Sequence, residues 1–440
     1  MKNKERLLII PILGLMIGAT SLYGYKVLKE NNYDLNQTLI EGVQEFQEIQ
    51  RGSYTTQNFY TENDTPSYSL NISNPIKTSS GYSALSSKGE RMLYNIIKDN
   101  ADHITNNRNN SGFYQLEPIT IRNYVFNSEQ IKKVLYAVQN DHPEIFWFAN
   151  SFSFNSGRFS TTIKLHSILS PEEQKRASDL MNKKVFNIIS QIPSNASAYE
   201  KELFIHDYLV DNCTYSKNAV QDPKIFTSYG CLVEEKAVCE GYAKAAQILM
   251  CAAGIECRTV IGARGSEAHM WNMVNINGDW YHVDVTWENK DPIRKYSYFN
   301  VTDDIIKRDH KIAISKTENP EQYYRNQYYN FDLPRCTSLK ENYFEKNAAK
   351  INKKENLTDN TIPSKIAALK SEQQTILYIK IHDNIKFEEA KNTLLKNNSK
   401  LIFEHINKAN SISRSGKSFG NSQIKYAEIR NQNVIAIQLM

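Results

Sequence analysis

Between Tyr229 and Trp287 the chain presents a cysteine, a histidine and an aspartate in that order, each inside a motif rich in apolar and aromatic residues. The motifs read Ala237-Val238-Cys239-Glu240-Gly241-Tyr242-Ala243, Ala268-His269-Met270-Trp271-Asn272 and Tyr281-His282-Val283-Asp284-Val285-Thr286-Trp287. A thiol attacks as its thiolate, an imidazole can take the thiol proton, and a carboxylate can orient the imidazole and support its charged form. Three such side chains in one cleft would attack a carbonyl carbon, form an acyl-thioester and pass the acyl group to a second nucleophile.

The elements around them suit that task. Residues 240–252 are rich in Ala, Ile, Leu and Met and end at Gly254, which predicts a buried helix with a glycine stop and places Cys239 at its first turn. Unpaired N–H groups and the positive end of the helix dipole favour an anion there. Asn277-Gly278 is a two-residue hairpin signal between two apolar and aromatic runs. With those residues as the turn, Ile276 pairs with Asp279, and the register carried outward sets His269 opposite Thr286. Asp284 then shares a face with His269 as its diagonal neighbour, roughly 7–8 Å away by backbone. The oxyanion of an acyl transfer needs donors; the backbone N–H of Cys239 is one, and Tyr229, in Ser228-Tyr229-Gly230-Cys231, is a candidate second.

The three motifs together resemble the transglutaminase-like superfamily, over roughly residues 197–335. That resemblance implies a papain-like Cys-His-Asp core, with Cys239 as nucleophile, His269 as acid and base, and Asp284 as orienter. One departure is Met270, where the family commonly has a small residue. His206-Asp207-Tyr208-Leu209 also looks like the family's helix before the nucleophile, where His206 and Asp207 have a packing or solvated role. His282 rivals His269 because it shares the face of Asp284; the family's order favours His269. Cys231 lacks a helix start and competes only weakly with Cys239.

The remaining composition narrows the setting. Across 440 residues, 53 Lys and Arg stand against 48 acidic residues, and no basic stripe with interleaved aromatics points to nucleic acid. Lys2, Lys4 and Arg6 precede an apolar run reaching about Tyr25, read as an export signal that is either cleaved or retained as a membrane anchor. Either outcome places the rest outside the cytoplasm. The six cysteines show no C-x-x-C spacing, so no metal site is expected and no bridge is assigned; Cys251 and Cys257 read as small buried hydrophobes.

In order, the expected organisation is a signal or anchor over 1–25, a polar stalk over 26–80 with a short helix near 36–51, and an α+β subdomain over 81–195. The catalytic core follows over 196–336, a Lys- and Asn-rich linker over 337–365, and a small α/β appendage over 366–440. The first subdomain should run helix 89–103, extended 114–126, helix 128–140 capped by Ser128, strands 144–148 and 159–167, and helix 171–192. Its Phe146-Trp147-Phe148 run reads as core. Ser197 and Glu200 form a capping box for the next helix. The appendage should read strand 375–381, helix 387–397, strand 399–406 and strand 425–439. The fold class is therefore α+β, a nucleophile helix packed on an antiparallel sheet. The expected function is an exported thiol acyl-transfer enzyme on amide or peptide carbonyls, without a cofactor, acting on protein or peptide substrates such as cell-wall peptide. Hydrolysis is favoured over amine transfer, and the competing class is a non-catalytic surface module that keeps the fold.

Overall fold

The structure is a computed structural model that describes residues 7–9, 79–216, 222–286, 292–313, 330–412, 418–420 and 423–440. Of the expected signal and stalk only Leu7–Ile9 and the last two stalk residues are among these; the helix near 36–51 lies outside them, as does Trp287 of the third motif. Among the described residues, no helix is long and apolar enough to cross a membrane. The chain divides into two compact units, one of Met1–Ala196, Cys213–Met270 and Lys311–Leu333, the other of Ser197–Asn212, Trp271–His310 and Pro334–Met440. Helices and mainly antiparallel sheets coexist in it, so the α+β class holds.

The first stretch contains β1 (Leu7–Ile9), α1 (Ser80–Ser83), α2 (Lys88–Asp99), β2 (Ile104–Arg108), β3 (Tyr114–Leu116), β4 (Ile119–Arg122), α3 (Ser128–Asp141), β5 (Phe148–Ser156), β6 (Ser160–Ser167) and α4 (Pro171–Ile189). The strands make one sheet ordered β1-β5-β6-β3-β2, with β4 also on β6. Leu93, Ile97, Ile131, Val134 and Val138 recur at helical spacing on α2 and α3 and are buried, as are Phe152, Ile163 and Leu165 of the sheet. Two expectations need correction. The cap of α3 is Asn127, whose side chain accepts from Gln130 N at 2.9 Å and completes a box with that glutamine. Residues 144–147 form no strand and the strand begins at Phe148, because Pro143 ends the preceding helix and the chain then turns to bring Trp147 Nε1 to Ala101 O at 2.7 Å. The aromatic run is core, as expected: Phe146, Trp147 and Phe148 are all buried.

Next come α5 (Ala198–Asn212), β7 (Thr214–Tyr215), α6 (Ser228–Leu232), β8 (Lys236–Ala237), α7 (Cys239–Ala252), β9 (Glu256–Arg264), β10 (Glu267–Ile276), β11 (Asp279–Val283), α8 (Asp303–Ile306) and β12 (His310–Ile312). Ser197 Oγ accepts from Glu200 N at 3.2 Å and Glu200 accepts from Ser197 N at 2.7 Å, the expected box at the start of α5. The main sheet here is ordered β11-β10-β9-β12. The hairpin has the expected register, from Ile276↔Asp279 to Asn272↔Val283, with Asn277 at φ 56° and Gly278 at φ 92° in the turn.

The C-terminal elements are α9 (Tyr343–Asn347), β13 (Ala349–Ile351), α10 (Thr361–Ser371), β14 (Ile376–Ile381), α11 (Phe387–Ile412), β15 (Lys425–Ile429) and β16 (Val434–Gln438), with a sheet ordered β13-β14-β16-β15. The stretch 337–365 is therefore not an open linker. Its apolar residues are sparse among Lys and Asn, yet Phe344, Ile351, Leu357 and Ile362 are all buried, and β13 adds a parallel strand to β14. Residues 399–406 are helix rather than strand: Leu394, Ile402, Ile406 and Ala409 fall on one helical face and are fully buried. The run 425–439 is a hairpin, not one strand, with Asn433 at φ 52° before β16.

Candidate active site

Cys239 is the first residue of α7, as its position in the motif predicts. The cap before it is Val238, in extended conformation, whose side chain makes no capping hydrogen bond. That leaves the positive end of the helix directed at Cys239. The turn is held from below: Val238 N donates to Ile225 O at 3.0 Å, and Ser216 N donates to Ala237 O at 2.8 Å. Gly241 explains the third residue of the motif, since a Cβ there would stand 2.7 Å from Ile225 O and 2.9 Å from Thr227 O. Tyr242 fixes the same turn through its hydroxyl, which donates to Cys213 O. Gly254, at φ 84°, closes the helix as expected, with its N–H on Cys251 O.

His269 lies on β10 and is buried. Cys239 packs in one apolar cluster with Ala243, Ile261, Ala268 and Met270. Ala268 and Met270 are the residues on either side of His269, so the nucleophile's helix start and the histidine's strand are packed together within the first unit. Met270, the departure from the family pattern, is itself part of that cluster and 6% exposed. Cys239 is fully buried. The rival thiols are poorer candidates. The Cys231 thiol is pushed well above its ordinary range by burial and by its hydrogen bond with Cys213, and burial pushes Cys251 up to about 12. Cys257 is buried as well.

Asp284 belongs to the second unit and sits one residue beyond the end of β11. It is fully buried; its Oδ1 accepts from Thr286 N at 3.0 Å and its Oδ2 faces His310 Nε2 at 3.0 Å. The other nitrogen of His310, Nδ1, faces Asp309 Oδ1 at 2.7 Å. Both ring nitrogens thus face carboxylate oxygens, an arrangement that favours the imidazolium form of His310. Burial opposes that charge, but the hydrogen bonds to Asp284 and Asp309 outweigh it and hold His310 above its ordinary value. No local sequence signal marks His310, because its two carboxylate partners come one from the residue beside it and one from 26 residues away.

His282, the rival histidine, is committed elsewhere. Its Nδ1 accepts from Trp271 Nε1 at 3.0 Å and its Nε2 faces Asp303 Oδ1 at 3.0 Å. An indole N–H can only donate, so the His282 proton is on Nε2 and the ring is neutral. Burial is the main cause that lowers its pKa. The ligand-type atoms of His282, Asp303 and Cys336 lie within 4.8 Å of one another. They do not suit a cation, since His282 presents an N–H rather than a lone pair toward Asp303.

The two remaining candidates each stack on an aromatic ring. His206 is buried, stacked on Tyr296 at 5.4 Å and hydrogen-bonded to Asp207, the packing role expected of it. The ring of Tyr229, on α6, stacks on Phe146 at 5.2 Å; burial and then Glu234 raise its phenol above the ordinary value.

Residues 187–285 match the family model described as the transglutaminase-like superfamily. Two solved structures are similar at the level of short aligned regions. One is described as "Crystal structure of a TGase", 16% identical, covering 39% of this chain and 51% of that one, with a TM-score of 0.23. The other is described as "The Crystal Structure of a Putative Cysteine Protease from Cytophaga hutchinsonii", 12% identical, covering 41% of this chain and 69% of that one, with a TM-score of 0.21. The chain thus spans about half the length of the first. No curated protein matches it.

Proposed function

We propose that the chain is an exported cysteine hydrolase acting on amide or peptide carbonyls, in which Cys239, His269 and Asp284 form the reacting group. The observation that carries the reading is the placement of Cys239 as the first residue of α7, where the positive end of the helix favours its thiolate. Cys239 Sγ attacks the carbonyl carbon while His269 takes the thiol proton. The oxyanion is met by the backbone N–H of Cys239, with Tyr229, whose phenol stays protonated, as second donor. His269 then returns the proton to the leaving amine. Water attacks the thioester, again through His269, and releases the acid and the thiol. Asp284 holds the imidazole in its working tautomer.

Amine transfer differs only in the second nucleophile. The transglutaminase-like match over 187–285 supports a cysteine-based acyl transfer of either outcome. Full burial of Cys239 supports a second reading, a binding module that keeps the scaffold without the chemistry. Mass spectrometry of peptide mixtures incubated with wild type and Cys239→Ala separates them. Hydrolysis predicts cleaved peptides with wild type alone; glutamine residues about one mass unit heavier, or amine adducts, indicate the neighbouring reactions. Identical spectra for the two proteins contradict the enzyme reading.

A further inference from the structure

We propose that His310 is a positioning residue for the proposed reaction, an imidazolium strut that fixes the carboxylate of Asp284 in place and keeps it charged. The inference rests on the Cys239–His269–Asp284 reading above. Its physical basis lies within the second unit. Asp284 is fully buried, and a bare carboxylate there costs several kcal/mol unless it is paired and hydrogen-bonded. Thr286 N takes Oδ1 and His310 Nε2 takes Oδ2, so the plane of the carboxylate is set from both ends. His310 is in turn immobilised. Asp309 holds Nδ1, and the Tyr298 hydroxyl holds the other oxygen of Asp309. The rings of Trp271 and Tyr298 pack edge-on against the imidazole at 5.2 and 5.0 Å.

Among the groups of its own unit that act on it, His310 faces the charges of Asp284 and Asp309; His282, a neighbouring titratable group there, is kept neutral by Trp271 and paired to Asp303, which Lys307 also approaches. Two carboxylates around one ring make the cation the stable form, and the ring's hydrogens both point outward to oxygen. A carboxylate pinned this way can orient a second imidazole with its remaining lone pairs without rotating.

The test compares His310→Gln with His310→Asn in the full chain. Glutamine places its amide near Nε2 and can still donate to Asp284; asparagine places its amide near Nδ1 and reaches only Asp309. The readout is the rate of alkylation of Cys239 by iodoacetamide, followed by mass spectrometry, with His269→Ala and Asp284→Asn alongside. The expected result is a rate within about threefold of wild type for His310→Gln and a fall of about tenfold or more for His310→Asn, the size of one net hydrogen bond. Equal rates for the two variants, with Asp284→Asn slow, overturn the role of His310 and leave the triad standing. Wild-type rates in His269→Ala and Asp284→Asn overturn the triad reading and this one with it. Nitrogen-15 spectra of histidine-labelled wild type give a readout that does not depend on either variant folding. One histidine that keeps both protons to higher pH than the others, and loses this in Asp284→Asn, is expected; nine histidines of which none stays doubly protonated beyond the ordinary imidazole range contradict the proposal.

Discussion

Glu202 on α5 is fully buried, with Oε2 accepting from Asn300 Nδ2 at 2.7 Å. Burial pushes its carboxyl up to about 8, and the Asn300 hydrogen bond only partly offsets that. Because the folded-state value lies above the unfolded one, the folded chain binds this proton more tightly. Stability from this group is therefore full below about pH 4.5 and is lost as pH rises toward 8. Glu202→Gln should be more stable than wild type by a few kcal/mol at pH 9 and nearly equal to it at pH 4.5, as read by urea denaturation at both values. His310 has the same sign: its raised value means its contribution is present below its unfolded value and fades as pH rises through the folded one. At this scale the sequence makes Cys239, His269 and Asp284 stand out because each sits in a motif with its own local signal. His310, Asp303 and Glu202 do not stand out. Their environments are made by partners from distant segments, and a lone histidine or carboxylate carries no mark of what will surround it.

Among the elements, α7 depends on the close approach that Gly241 permits. Gly241→Ala puts a methyl group against the backbone oxygens of Ile225 and Thr227 at under 3.0 Å, which backbone cannot easily yield. About 1–3 kcal/mol of stability should be lost in chemical denaturation, and alkylation of Cys239 should slow because the helix start shifts. The hairpin is a second case. Gly278 has φ 92°, a conformation that a side chain resists, so Gly278→Ala should cost about 1 kcal/mol by the same measurement. The hairpin and α7 are the elements most legible in the sequence, because Asn277-Gly278 and the glycine stop at Gly254 act locally. The register could be predicted from the turn alone, and the structure pairs Asn272 with Val283 accordingly. Its extension to Asp284 is not a matter of strand pairing, since β11 ends at Val283 and Asp284 N donates instead to Tyr298 O at 3.3 Å. The segment 399–406 was less legible because a short apolar run fits either period; tertiary burial of Ile402, Ile406 and Ala409 along one face decides for helix.

At the scale of the molecule, the C-terminal sheet is not an appendage but part of the second unit's core. Phe299, Tyr343, Phe344, Tyr378, Ile429, Val434 and Ala436 form one buried cluster, and Tyr296 stacks on Tyr343 at 3.6 Å. Asn342 Nδ2 reaches Phe299 O and Gln432 Oε1, and Gln432 Nε2 reaches Ser297 O at 2.8 Å, so polar groups bridge the same seam. Ending the chain at residue 365 should strip Phe299 and Tyr343 of Tyr378, Ile429 and Val434, and the remainder should lose its cooperative melt in calorimetry. The sequence hides this because long-range burial leaves no periodic signature in the Lys- and Asn-rich segment before it. The account as a whole turns on whether Cys239 is activated by His269 and Asp284, and selective alkylation measures that most directly. Iodoacetamide should modify Cys239 faster than Cys251 or Cys257 in the native chain, with the advantage lost in His269→Ala and reduced in Asp284→Asn. Equal modification of the three thiols, unchanged by either substitution, would contradict it.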